Sequence, residues 1–231
     1  SLFIRVFLIA SISINTSAKA NFHQKSSCTK PLYLTFDTGH MGVAPLIADV
    51  LRQEDVRVTF FAAQERTQQG DGTLGEYWAP WWRARAAEGH MFASSSGGGM
   101  HFRVRPSAGP PAGQEAVITG AAYCAEIKRA DERLMALTGV DTLPVWRAPG
   151  GKTSTAMLKN AKSCGYAHVG WAPAGFLGDE LSSDSHPNSR LLAKALRDVR
   201  PGDILMAHLG IWSRQDPWAP TVLAPLLQGL K

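Results

Sequence analysis

Asp37, Arg147 and His208 are the side chains whose types and places in the chain suit joint chemistry. Each closes a short run of strand-forming residues: Leu32-Tyr33-Leu34-Thr35-Phe36 before Asp37, Pro144-Val145-Trp146 before Arg147, and Asp203 to Ala207 before His208. A carboxylate, a guanidinium that orients it and an imidazole suit a hydrolytic site, as general base, positioning cation and general acid. Alone, an Asp after a strand is a turn or cap residue and a His is hydrogen-bonded structure. Their common placement at strand ends is what favours the chemical reading. Two other strand ends supply Ser94-Ser95-Ser96 and Trp171.

Such residues meet only if their strands run parallel and share one end. The intervening segments predict that arrangement. Val43 to Arg52 carries Leu46, Ile47, Val50 and Leu51 at helical spacing, and Arg57 to Ala62 reads as a second strand. A Trp-rich helix through Trp81, Trp82 and Ala87 ends at Gly89, and His90 to Ala93 follows as a strand. Helices are expected over Ala121 to Leu137, from a Thr153 or Ser154 cap to Cys164, over Ser189 to Val199, and from Pro220 onward. Tyr166 to Trp171 is expected as a strand. Strands alternating with helices imply βαβ units and a parallel sheet. About six units without a linker favour a barrel over an open sheet, with chemistry on loops after the strands' carboxyl ends. Ser94 to Gly99 is a low-complexity stretch of linker type placed at one such end, and the Arg103 to Gly113 loop after it is basic and rich in Pro and Gly.

Five runs resemble motifs of the polysaccharide deacetylases, the NodB-homology family also called carbohydrate esterase family four. Leu34-Thr35-Phe36-Asp37-Thr38-Gly39 is similar to T-F-D-D-G, Arg147-Ala148-Pro149-Gly150-Gly151 to R-x-P-x-G, and Gly202 to His208 to G-D-I-x-L-x-H. Val58-Thr59-Phe60-Phe61 and Glu88-Gly89-His90 resemble the family's "ATFF" strand and "GHE" turn. The resemblance covers residues 30 to 230 in the family's order. It implies an α/β fold, a distorted (β/α) barrel of about seven strands, that removes acetyl groups from sugar polymers. It also implies a divalent metal, usually zinc, that polarises the acetyl carbonyl and activates water. By the same resemblance Asp37 is the base, His208 the acid, and Arg147 holds Asp37 by a charge-assisted hydrogen bond.

The family's metal ligands are absent on this alignment. Its second Asp is Thr38, and its H-[ST]-x-x-H runs from Ser95 to Gly99. A hydroxyl is a poor zinc ligand and glycine offers none. His40 and His101, each two residues beyond a ligand position, are the substitute candidates. The family's Asp near a Trp has only positional counterparts here, Asp179 or Asp184.

Seven tryptophans supply a second indication, since sugar-binding grooves stack pyranose rings on aromatic faces. Trp171, Trp212, Trp218 and Pro149 are the expected substrate-lining residues, whereas Trp146 is expected in the core. Cys28, Cys124 and Cys164 form no metal-type pair; one disulfide is open to them in an oxidising compartment, while Cys124 and Cys164 read first as buried small hydrophobes.

Residues 1–20 read as a signal peptide: Arg5, the apolar run from Val6 to Ile14, and Ala18-Lys19-Ala20 as the cleavage pattern. Export to the periplasm or outside the cell is expected, with 21–231 as one deacetylase-like domain and no membrane span in it. The formal charge is +5, and without Arg5 and Lys19 it is +3, dispersed and without interleaved aromatics, which argues against nucleic acid. Two readings remain open at this stage. One is a deacetylase acting on an acetylated polysaccharide or peptidoglycan-type glycan; the other is a catalytically silent glycan-binding relative.

Overall fold

The computed structural model describes residues 30–95 and 120–231. Six strands form one all-parallel sheet: β1 (Tyr33–Asp37), β2 (Thr59–Ala62), β3 (Met91–Ser95), β4 (Val145–Arg147), β5 (Ala167–His168) and β6 (Ile204–His208), in the order β5-β4-β3-β2-β1-β6. Between them run helices α1 (Ala44–Gln53), α2 (Ala79–Ala87), α3 (Gly120–Thr138), α4 (Thr155–Ser163) and α5 (Asn188–Asp198), with α6 (Leu223–Leu230) last. No helix among the described residues is long and apolar enough to cross a membrane.

Alternation along each strand sorts the side chains into two layers. Leu34 and Phe36 of β1, Phe60 of β2, Phe92 of β3 and Leu205 and Ala207 of β6 point outward into the main core under the helices. Ile47, Val50 and Leu51 meet them from α1, as the helical spacing predicts, and Trp82 from α2 stacks edge-on against Phe60 and Phe92 at 5.8 and 5.9 Å. Trp146 of β4 is fully buried against Tyr123, Ile127, Met157 and Ala161 of α3 and α4. The opposite face, the barrel interior, is lined by Thr35, Thr59, Phe61, Val145, Val169 and Ile204.

The sequence predicts a fifth strand over Tyr166–Trp171, yet β5 keeps only two residues. The Arg147 side chain explains the shortening: its Nε donates to the Val169 carbonyl at 3.1 Å and its Nη2 to the Gly170 carbonyl at 3.1 Å. Those carbonyls face into the barrel on a guanidinium, so the ladder stops. The chain then crosses to the free edge of β6, where Ala172 N–H donates to the Ile204 carbonyl at 3.0 Å, Leu177 N–H donates to the Met206 carbonyl at 3.2 Å, and Phe176 bridges Met206 in parallel. This irregular segment takes a strand's place and curls the sheet into the distorted barrel. About seven strands were expected; among the described residues six are regular.

One expectation about the cysteines is corrected. Cys124 and Cys164 are not separate buried thiols but a disulfide that ties α3 to α4. Its partners lie 40 residues apart in sequence, and only the packing of the two helices brings them together. Cys28 lies outside the described residues.

Candidate active site

The register of the sheet explains why Asp37, Arg147 and His208 converge. Asp37 and His208 are partners across the β1–β6 pair, and each ends its strand on the interior face, the face shared with Thr35 and Met206. Arg147 ends β4 on that same face from across the barrel. Its side chain is fully buried, and its Nη1 donates to Asp37 Oδ1 at 2.6 Å and to Thr35 Oγ1 at 2.8 Å. The guanidinium also lies over the Phe61 ring at 4.0 Å and the Trp171 ring at 5.6 Å. Its Nε, Nη1 and Nη2 each donate to interior acceptors, so the Asp37 carboxyl group is held in a fixed orientation.

His208 is anchored by a carboxylate that the sequence offered only as one of two positional guesses. Asp179 Oδ2 accepts the His208 backbone N–H at 2.6 Å, and Asp179 Oδ1 pairs with His208 Nδ1 at 3.0 Å. Asp184 lies five residues on, in an exposed turn. Burial works against a charge on His208, but the carboxylates of Asp179, Asp37 and Glu180 outweigh it and push the imidazole up to about 9. The ring is therefore an imidazolium at neutral pH, with Nδ1 directed to Asp179 and Nε2 turned to the Glu180 carboxylate 3.8 Å away. An oriented carboxylate beside an imidazolium is the pair that general base and general acid chemistry requires.

Glu65 also belongs to this site, and sequence reasoning missed it. It sits in the loop after β2, where its carboxyl meets the Thr38 hydroxyl and feels the charges of Asp37 and His208; burial, then Asp37, push it above the usual carboxylate range. The loop is tightly braced. Glu65 N–H donates to Thr73 Oγ1 at 2.9 Å, Thr73 N–H returns to the Glu65 carbonyl at 3.0 Å, and Leu74 N–H donates to Gln64 Oε1 at 2.9 Å. Nothing in the local run Ala62-Ala63-Gln64-Glu65-Arg66 marks a site residue, because its role comes from where the loop folds back.

The residues at the family's metal positions do not fit a metal. Thr38 Oγ1 accepts the Ala63 N–H at 3.1 Å, and Ser95 Oγ donates to the Arg147 carbonyl at 3.3 Å, so both hydroxyls complete local structure. Of the substitutes, His40 Nδ1 accepts the Gly42 N–H at 2.9 Å, and its ring packs edge-on against Trp212 at 5.1 Å. Burial holds His40 below its ordinary value. No group of three or more His, Cys, Asp or Glu among the described residues could hold a metal ion. Gly99 and His101 lie outside the described residues.

The expected aromatic lining divides. Trp212 is 58% exposed at the site's rim with the Arg66 guanidinium 5.2 Å over its ring, a surface suited to a sugar face. Trp171 is half-buried above Arg147 and close to Gly151, and Pro149 is half-buried beside it in a short 3-10 turn over Pro149–Gly151. Trp218 is 3% exposed and packs into the main core, and it also lines the wall of the cavity beside His208. Between the β1–α1 loop and the β6–α6 loop opens a cavity of about 160 Å³ lined by His40, Gln68, Asp179, His208, Arg214 and Gln215, among others.

A family model described as polysaccharide deacetylase matches residues 24–169. Solved structures of similar fold include the family 4 carbohydrate esterase of Streptomyces lividans in complex with acetate, with a TM-score of 0.62, 21% identity, and coverage of 88% of this chain and 89% of that one. The Bc1960 peptidoglycan N-acetylglucosamine deacetylase gives a TM-score of 0.64 at 21% identity, covering 86% and 80% of the two chains. The pseudoenzyme BA3943 of Bacillus anthracis gives 0.63 at 15% identity; 87% of this chain aligns, spanning only 60% of the pseudoenzyme's length. A mutant of that pseudoenzyme, 62% of whose length is spanned, is described as having restored enzymatic activity. A search of curated protein sequences returns no match.

Proposed function

The chain belongs to the polysaccharide deacetylase family, and we propose that it is an exported, glycan-binding member that has kept the family's barrel and acid–base pairs but does not build the metal centre. The observation that carries this reading is the engagement of Thr38 and Ser95 in local hydrogen bonds where the family places ligands. The glycan is of the cell-envelope or extracellular type, with Trp212, Trp171 and Pro149 as its contacts. A leader over residues 1–20, one domain over 21–231 and an oxidising destination belong to the same reading, and the Cys124–Cys164 disulfide supports the last. The fold likeness to a pseudoenzyme is in keeping with it.

A second reading, acetyl hydrolysis, is favoured by the hydrogen-bonded Asp37–Arg147 and His208–Asp179 pairs. In that case the Asp37 carboxylate takes a proton from the attacking water. The His208 imidazolium gives its Nε2 proton to the departing nitrogen or oxygen, while Asp179 keeps the ring oriented. The family's metal, when bound, supplies carbonyl polarisation, which no described side chain here replaces.

The experiment measures acetate release and binding with acetylated chitotetraose, with and without zinc, for the natural chain and for the triple variant Thr38→Asp, Ser95→His, Gly99→His. The expected result is binding without acetate release by the natural chain, and zinc uptake with acetate release by the variant. Acetate release by the natural chain overturns the first reading in favour of the second; absence of both binding and release overturns both.

A further inference from the structure

Arg66 is exposed, and its guanidinium makes no ion pair and donates no hydrogen bond among the described residues, Glu65 beside it in the chain included. What it rests on is the indole of Trp212, 5.2 Å below it. A guanidinium on an aromatic face keeps the edge of its planar fork free, and that edge matches a carboxylate with two parallel hydrogen bonds.

The two residues come from separate loops, after β2 and after β6, and both loops are fastened to the β1–α1 loop at His40. His40 N–H donates to the Gly210 carbonyl at 3.0 Å, and Gln68 N–H donates to the His40 carbonyl at 3.0 Å. The His40 ring stands edge-on to Trp212 at 5.1 Å. Gly210, at a φ of 121°, leaves room for that ring, since a Cβ there would come within 2.3 Å of His40 Cε1. The same loops, with Asp179, enclose the cavity of about 160 Å³, several times the roughly 30 Å³ of a water in the liquid. In its wall Arg214 is 8% exposed, and its nitrogens donate to the Leu181, His186 and Asp216 carbonyls and to Asn188 Oδ1, all neutral oxygens. The Asp179 carboxylate in that wall is taken by His208, and Glu180, next in the chain, faces the same imidazole at 3.8 Å. Arg66 and Arg214 are thus two cations without a carboxylate in ion-pair reach, one at the rim and one in the wall.

Resting on the glycan-binding reading above, we propose that the site recognises an acidic glycan, one whose sugar rings carry a carboxylate, and that Arg66 on the Trp212 ring sets this preference. Trp212 stays 58% exposed, so a sugar ring can lie against the indole while its carboxylate meets the guanidinium. A neutral sugar stacks on the same indole but leaves Arg66 to water. The carboxylate belongs either to the sugar ring itself, as in a uronic acid, or to an ether-linked lactyl group, as in muramic acid; both offer the same planar anion.

The test is calorimetric titration of the full chain with three tetrasaccharides: neutral, fully acetylated chitotetraose; tetragalacturonate; and a peptide-free tetramer of alternating N-acetylglucosamine and N-acetylmuramic acid. At about 50 mM salt the better of the two acidic ligands is expected to bind about tenfold more tightly than chitotetraose, and the margin is expected to shrink at about 300 mM as the charge is screened. Which acid binds more tightly identifies where the carboxylate sits. Arg66→Gln, at an exposed position outside the core, is expected to bring acidic and neutral ligands within about threefold of each other. Arg66→Lys keeps the charge without the fork and is expected to retain an intermediate margin. Trp212→Ala is expected to weaken all three ligands together. Equal or tighter binding of chitotetraose by the natural chain overturns the proposal and leaves the glycan reading standing. Binding of none of the three overturns both. A tenfold margin that persists in Arg66→Gln overturns the assignment to Arg66.

Discussion

Replacing Asp179 by Asn tests the electrostatic core of the site. In the native chain His208 titrates at about 9 instead of 6.5, because Asp179, Asp37 and Glu180 together outweigh burial of the ring. At about 1.36 kcal/mol per pH unit this rise corresponds to roughly 3 kcal/mol of stability. The His208 side chain is 13% exposed, so solvent removes little of it. A pKa raised in the folded state contributes fully below 6.5, declines as pH climbs and is gone above about 9. Native stability in urea is therefore expected to fall by about 3 kcal/mol between pH 6 and pH 9.5 from this group. Asp179→Asn preserves an oxygen to accept the His208 N–H but removes the largest opposing charge. NMR titration of the His208 ring is expected to show its pKa falling to 6.5 or below, and the stability slope between pH 6 and pH 9.5 is expected to flatten. A His208 pKa near 9 in Asp179→Asn, or an unchanged slope, refutes the assignment of the shift to this pair.

Arg147→Leu leaves the Asp37 carboxylate and the Val169 and Gly170 carbonyls without their donor inside the barrel. Such a buried break costs about 3–5 kcal/mol, so denaturant unfolding is expected to show that loss, and a loss under 1 kcal/mol contradicts the central role given to Arg147. Reducing or removing the Cys124–Cys164 bridge, whose partners are 40 residues apart, is expected to cost about 4 kcal/mol in the chain-entropy account, read as a lower melting temperature on addition of dithiothreitol. An unchanged melting temperature with both thiols free shows that α3 and α4 hold together without it.

Much of the site was legible because strand ends can be read locally. Asp37, Arg147 and His208 each follow an apolar run whose alternation fixes which face the last residue takes, and parallel order follows from the helices between them. Trp146 was likewise assigned to the core by its place in β4. Other residues carried no such pattern. Glu65 is polar in a polar loop, and Asp179 is one acid among several in the stretch 179–184. Trp218, expected at a groove from its polar neighbours, packs into the main core while also lining the cavity beside His208, a double placement that its local sequence does not show. The truncation of β5 was equally hidden, because it depends on a side chain from β4 taking backbone carbonyls 22 and 23 residues away.

The sequence by itself therefore determined the βαβ order, the inward faces of the strands, the family and the absence of ligand-bearing side chains at Thr38, Ser95 and Gly99. These depend on residue type and on periods of two and 3.6 residues, which are local properties. Only the tertiary structure decided that Thr38 and Ser95 are committed to neighbouring backbone, that Asp179 rather than Asp184 charges His208, that Cys124 meets Cys164, and that Glu65 comes near Thr38, Asp37 and His208. Each of those facts joins groups distant in sequence. Hydrogen bonds and ion pairs act over a few ångströms, so they become real only when folding closes the chain between their partners.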